Sequence, residues 1–200
     1  MVPPETNTLK LRFDHFGMLA PFYERFIPPK VSDELTALVD VPVDGVVLDA
    51  CGGTGRVAKF LRDKAAQVLV ADESFEMLKE VRKKVGIHPV CSRAESTPFR
   101  TNCFDLIIMV DALHHVTDQV KTAEELWRIL KPGGRIVIEE PDVRAFGVKL
   151  VAIAEKLAFM RTHFLAPARI ADLFCSHNAH VRIETSSSTA WIVVDKESPR

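Results

Sequence analysis

From residue 46 to residue 141 the chain alternates between short apolar runs and longer stretches with helical periodicity. The runs at 46–49, 68–72, 89–91, 104–110 and 135–139 have strand length, and 104–110 (Phe-Asp-Leu-Ile-Ile-Met-Val) is apolar enough for a central strand covered on both faces. Helices are expected between them at 56–64, 75–84 and 118–130. Ser74 is placed to cap the second of these, with Met77 as its third residue. The third runs into Lys131-Pro132-Gly133-Gly134, a cluster that breaks a helix. Beyond it the pattern gives helices at 146–160 and 167–175 and strands at 180–184 and 190–194. Strand-helix alternation of this kind predicts an α/β domain, a doubly wound and mostly parallel sheet.

The first apolar run ends in an acid, Asp49, and enters Ala50-Cys51-Gly52-Gly53-Thr54-Gly55 before the next helix opens. Glycines there let a ligand approach the main chain, and the amides at the helix start face whatever lies over the turn. This is a nucleotide-type binding turn at the carboxyl end of a first parallel strand. Two cofactors fit it. Gly53-x-Gly55-x-x-Ala58, followed by Asp72 after the second run, satisfies the dinucleotide fingerprint and admits an NAD-dependent oxidoreductase. The acid at Asp49 would repel a pyrophosphate and attract an ammonium group, which favours S-adenosylmethionine over NAD. The chain also lacks a Tyr-x-x-x-Lys pair for hydride chemistry.

Five segments in order resemble the motifs of the class I S-adenosylmethionine-dependent methyltransferases: Leu48 to Gly55; Val70-Ala71-Asp72-Glu73-Ser74-Phe75-Glu76-Met77-Leu78; Ala94-Glu95-Ser96-Thr97-Pro98-Phe99; Phe104 to Ile108 with Ala112-Leu113-His114-His115-Val116; and Leu130 to Arg135. The subgroup most resembled contains the ubiquinone/menaquinone biosynthesis C-methyltransferases and related small-molecule enzymes. The resemblance implies a Rossmann-like, seven-stranded sheet with an antiparallel last strand and helices on both faces. It also implies one domain over 1–200: an N-terminal helical lid segment at 1–44, a cofactor-binding core at 45–141, and a lid helix with closing strands at 142–200.

On that resemblance, the backbone around Gly53, Thr54 and Gly55 faces the methionine and ribose parts of the cofactor, and Asp49 draws its ammonium group. Asp72 takes both ribose hydroxyls, since two acceptor oxygens match a vicinal diol, and Glu73 flanks the adenine. Arg93-Ala94 stands where the family carries Asp-Ala or Asn-Ala. Arg93 cannot accept a hydrogen bond from the adenine amino group, so it either stacks on the purine or faces solvent, and the Ala94 amide remains for the ring. Val110 and Asp111 border the methyl-donor end. His114 and His115 are the candidate bases. Tyr23 matches the tyrosine of an Ala-Pro-x-Tyr-Asp element that folds over the cleft. Cys51 replaces the commoner glycine and reads as a spacer.

The aromatic segment 13–26 and the 146–160 helix form an apolar lid over a small, apolar or aromatic acceptor, or else bury one face on the sheet or on a second copy in a homodimer. A non-catalytic module that binds S-adenosylmethionine is the reading outside enzymology.

Composition narrows the partners. A formal charge of -1 and 47% hydrophobic residues describe a cored domain without the basic excess of a nucleic-acid binder. Asp111-Ala112-Leu113-His114 also lacks the Asn/Asp-Pro-Pro-Tyr/Phe element of base-modifying enzymes. The four cysteines have neither C-x-x-C nor zinc-ligand spacing, so no metal is expected. Reduced thiols serving as small buried apolar groups are expected at 51, 91 and 103. The N-terminus is polar and the 146–160 helix carries Lys149, Glu155 and Lys156, so neither a signal core nor stable membrane insertion is expected and the location is cytoplasmic.

Overall fold

The computed structural model describes residues 31–39, 43–145, 148, 162–175 and 177–198. Seven strands form one sheet: β1 (Val43–Ala50), β2 (Ala65–Asp72), β3 (Ile87–Cys91), β4 (Phe104–Val110), β5 (Leu130–Pro141), β6 (Ala179–Ser186) and β7 (Thr189–Lys196). Their spatial order is β3-β2-β1-β4-β5-β7-β6. Pairings from β3 through β5 are parallel, and β7 enters antiparallel to both β5 and β6. The expected doubly wound sheet with its antiparallel final strand is therefore present. The order reverses between β1 and β4, the switch point at which open α/β sheets bind ligands in the crevice outside the carboxyl ends of their strands.

The continuous apolar runs resolve into two interleaved faces, as the two-residue period of a strand requires. Leu48, Ile107, Met109, Ile136, Ile138, Ile192 and Val194 pack on one side with Leu126 and Ile129 of α4 (Gln119–Ile129) and Ile170 of α5 (Pro167–Asp172). Val47, Val68, Val70, Leu106, Ile108, Val137 and Val193 pack on the other with α1 (Asp33–Leu38), α2 (Ala58–Leu61) and α3 (Phe75–Val81), through Leu35, Leu38, Leu61, Leu78 and Val81. Helices thus cover both faces.

Two helix starts are set by side chains, and the sequence marks the first of them. Ser74 Oγ accepts from the Met77 amide, and Asp118 Oδ1 accepts from the Lys121 amide at 3.0 Å. The helices themselves are shorter than the periodicity predicts, ending in turns at 62–64 and 82–84. The largest departure lies at 131–134. The glycine-proline cluster ends α4 as expected, yet it belongs to the strand that follows rather than to a separate loop. Phe104 pairs with Leu130 and Leu106 with Arg135, so the intervening residues bulge out of the ladder. Cys91 is exposed rather than buried because β3 is an edge strand, while Cys51 and Cys103 are half-buried.

The expected 146–160 helix, Tyr23 and the 13–26 aromatic segment lie outside the described residues. Of the 1–44 segment, α1 is described, and it packs on the sheet.

Candidate active site

The turn after β1 is held from below by Asp49. Its side chain is buried, and its Oδ2 accepts from the Ala58 amide at 3.1 Å. Burial drives this carboxyl up to about 7, against the pull of the Ala58 amide and the Arg56 cation. The backbone of Gly52 lies directly over it: a Cβ there would stand 2.5 Å from Asp49 Cγ. Gly53 and Gly55 adopt φ of +56° and +75°, and Cys51, in the same left-handed region at +54°, shows that a small side chain is accommodated at that position. Burial, and after it the carboxylates of Asp72 and Glu73, push the Cys51 thiol well above its ordinary range, which favours the thiol over the reactive thiolate. Thr54 is buried, and its carbonyl accepts from Lys84 Nζ at 2.6 Å, a tether from the far end of α3 that sequence reasoning did not single out.

Asp72, at the end of β2, is tied to this turn. Its Oδ2 accepts from the Gly53 amide and its Oδ1 from the Ser74 amide, both at 2.8 Å. The two amides fix the orientation of the carboxylate. Glu73 follows, its carbonyl 3.8 Å from Cys91 Sγ. Arg93 is exposed to solvent, one of the two arrangements expected of it. Its guanidinium pairs with Glu95, with Nη2 to Oε1 at 3.0 Å. Glu95 Oε1 also accepts the amides of Thr117 and Asp118, which fastens the 93–96 turn to the start of α4. Ala94 is buried in the core beneath.

Val110 ends β4. Asp111 takes φ +52°, donates its amide to the Glu139 carbonyl, and accepts from Arg56 Nη2 at 3.3 Å, a link across the crevice between the first and fourth strand ends. The chain then turns through Leu113–His115. His114 is buried, and its Nδ1 lies 2.6 Å from Glu140 Oε2. The other oxygen of Glu140 accepts the amides of Ala112 and Leu113 at 2.9 and 2.7 Å. Phe164 stacks on the His114 ring at 4.2 Å and 14°, and His115 packs at 4.0 Å. Burial, followed by the neighbouring His114, lowers His115 to about 4, so it is neutral at physiological pH.

Glu140 was not legible as a site residue. Two consecutive glutamates end the fifth strand, and only the strand's register shows which one turns towards His114. Glu139 faces the opposite side, where it accepts from Trp191 Nε1 at 2.6 Å. The structure therefore places Asp49, Gly53, Thr54, Gly55, Asp72, Val110, Asp111, His114 and His115 at or just after the carboxyl ends of β1, β2 and β4, adds Arg56, Lys84 and Glu140 as their partners, and pairs the exposed Arg93 with Glu95.

Residues 48–138 match a family model described as a methyltransferase domain. A ubiquinone/menaquinone biosynthesis C-methyltransferase from Pseudoalteromonas translucida is 42% identical over 104 residues, covering 47% of this chain and 41% of that protein. One from Klebsiella pneumoniae is 39% identical over 104 residues with the same shares. The chain thus spans about two fifths of the length of the curated relatives it matches. Among solved structures, an S-adenosylmethionine-dependent methyltransferase from Thermotoga maritima, described as a possible histamine N-methyltransferase, superposes with a TM-score of 0.76 at 22% identity, covering 91% of this chain and 98% of that one. Another from Mesorhizobium loti gives 0.71 at 18% identity, covering 82% and 96%. These structures share the fold; the family resemblance and the methyl-donor class of cofactor expected from the motifs are borne out.

Proposed function

We propose, on the premise that residues 48–138 are a methyltransferase domain of the S-adenosylmethionine-dependent kind, that this chain transfers a methyl group to a small, apolar or aromatic acceptor by direct displacement. The observation that carries the reading is the joint made by Asp72 and Gly53, which presents fixed acceptor oxygens beside the main-chain amides of the turn. The residues present fit the cofactor. Asp72 stands at the end of the second strand with two carboxylate oxygens, the acceptor pair that suits a vicinal diol, and the acid of Asp49 beneath the turn suits a cation above it and disfavours a pyrophosphate.

The sulfonium of S-adenosylmethionine supplies the electrophilic methyl group. The protein's part is then to bind, to align and to exclude water. The turn at 51–55 and Asp72 hold the nucleoside side, the Ala94 amide is offered to the adenine ring, and the backbone of Val110 and Asp111 borders the reacting end. Within this reading the acceptor is a quinone-like ring carbon or a phenolic oxygen. The curated relatives named as C-methyltransferases of quinone biosynthesis support it, and so does the aromatic group that Phe164 stacks on His114. Among the described residues no helix is long and apolar enough to cross a membrane. A free small molecule met in the cytoplasm is the proposed partner.

Isothermal titration with S-adenosylmethionine and S-adenosylhomocysteine, alongside Asp72→Ala and with NADH as a control, tests the cofactor. A panel of hydroquinones, phenols, amines, peptides and RNA with radiolabelled methyl donor then tests the acceptor. Heat with NADH alone, or methylation confined to peptide or RNA, sinks the proposal.

A further inference from the structure

Three groups converge on Glu140, which is 3% exposed. Two are the amides of Ala112 and Leu113, which donate to one oxygen; the third is His114 Nδ1, 2.6 Å from the other. The amides make this carboxyl an acceptor site, so the group facing it must donate. Nδ1 therefore carries the hydrogen of the neutral ring, and the lone pair falls on Nε2. The ring is gripped by the stack on Phe164, and the His114 carbonyl takes the His163 amide at 2.8 Å. The buried polar side-chain atoms without a partner among the described residues are Ser92 Oγ and His177 Nε2. His114 Nε2 is not one of them and bonds no described group, and it sits on the turn that follows the carboxyl end of β4. Charges facing the ring are Glu140 in contact and Asp111 nearby, with His115 against it.

We infer that Glu140 is a positioning residue that fixes His114 with its lone pair on Nε2, and that His114, rather than His115, takes the proton released by an acceptor hydroxyl during methyl transfer. This rests on the methyl-transfer reading above. The acceptor's carbon or oxygen forms the bond to the methyl carbon as the sulfur–methyl bond breaks and its electron pair stays on sulfur. The hydroxyl proton passes to Nε2, and the imidazolium so formed lies against the Glu140 carboxylate through Nδ1–H.

Glu140→Gln separates this role from a structural one. Its amide oxygen still takes the two backbone amides, while its NH2 now donates to Nδ1 and forces the hydrogen onto Nε2. Nitrogen-15 spectra of the imidazoles are expected to show His114 as the Nδ1–H form in the native protein and the Nε2–H form in Glu140→Gln. With the panel member that the native protein methylates, Glu140→Gln and His114→Gln each slow kcat about a hundredfold, within the range removed with a general base, and leave KM and S-adenosylhomocysteine affinity within about twofold. The double variant is no slower than His114→Gln, because the two act as one unit. The inference is overturned by an Nε2–H tautomer in the native protein, by an unchanged rate in Glu140→Gln, or by losses that multiply. If Glu140→Gln fails to fold, His114→Gln decides: it must lose the acidic limb of the pH-rate profile. Failure of the native protein to bind S-adenosylhomocysteine, or to methylate any panel member, overturns the proposed function instead, and the tautomer stands or falls on the spectra alone.

Discussion

The carboxylate of Asp72 holds the amide of Gly53 at 2.8 Å, so the end of the second strand and the turn after the first move as one body. Removing that carboxylate therefore costs both a ligand contact and the shape of the turn. Hydrogen bonds to a charged group contribute about 1.5–3 kcal/mol each. Asp72→Ala is expected to weaken S-adenosylhomocysteine binding by at least about tenfold per lost bond, and Asp72→Asn by less, since its carbonyl keeps one acceptor. Calorimetry checks the order; equal affinity in all three proteins would refute it.

Neighbouring glycines in the turn should fail for different reasons. A Cβ on Gly52 falls 2.5 Å from Asp49 Cγ, a buried and hydrogen-bonded group that has nowhere to go. At Gly53 the nearest atom is Met77 Sδ at 4.0 Å, and the obstacle is only φ +56°. Gly52→Ala is expected at or beyond the upper end of the about 1–3 kcal/mol that overpacking costs, and Gly53→Ala at about 1–2 kcal/mol of backbone strain. Urea denaturation of the two variants would expose a reversal.

Asp49 makes stability fall as pH rises. Its folded pKa of about 7 stands above the roughly 3.9 of an unfolded aspartate. The folded state therefore binds the proton more tightly, and the stability due to the neutral acid is complete below about 4 and gone above about 7. Asp49→Asn should gain on the native protein across that window and hold a constant margin above it. A cation bound over the turn favours the ionised acid, so cofactor binding at pH 6 should release protons, read from titrations in buffers of different ionisation enthalpy.

His115 gives the opposite slope. With a folded pKa of about 4, below the ordinary 6.5, the neutral ring is the stable one in the fold. Its contribution is full above about 6.5 and lost as pH falls towards 4. His115→Asn should be less acid-sensitive than the native protein between these limits. The slopes of Asp49 and His115 cancel in part, so melting temperatures of each variant against pH, not the native curve, resolve them.

Much of this was legible in one dimension. The run at 104–110 announced a central strand, Ser74 announced a cap, and the glycines at 52–55 announced a tight turn after the first strand because its geometry is local. What escaped depends on distant partners. The choice between Glu139 and Glu140 is made by strand register, the pairing of Arg93 by Glu95, and the bulge at 131–134 by the closeness of Gly134 to the Asp105 carbonyl, where a Cβ would come to 2.9 Å.

The place of β7 between β5 and β6 gives the chain a schedule. Leu130–Pro141 carries Glu140 and an apolar stretch along its length, and its free edge is covered only by residues 189–196. During synthesis that edge stays open until residues 189–196 have emerged, and an uncovered apolar edge is a template for pairing with another chain. A message cut short before residue 189 would therefore yield a chain with strands β1 to β5 in place and an adhesive flank, so that β7 serves as a check on the synthesis of the strands before it.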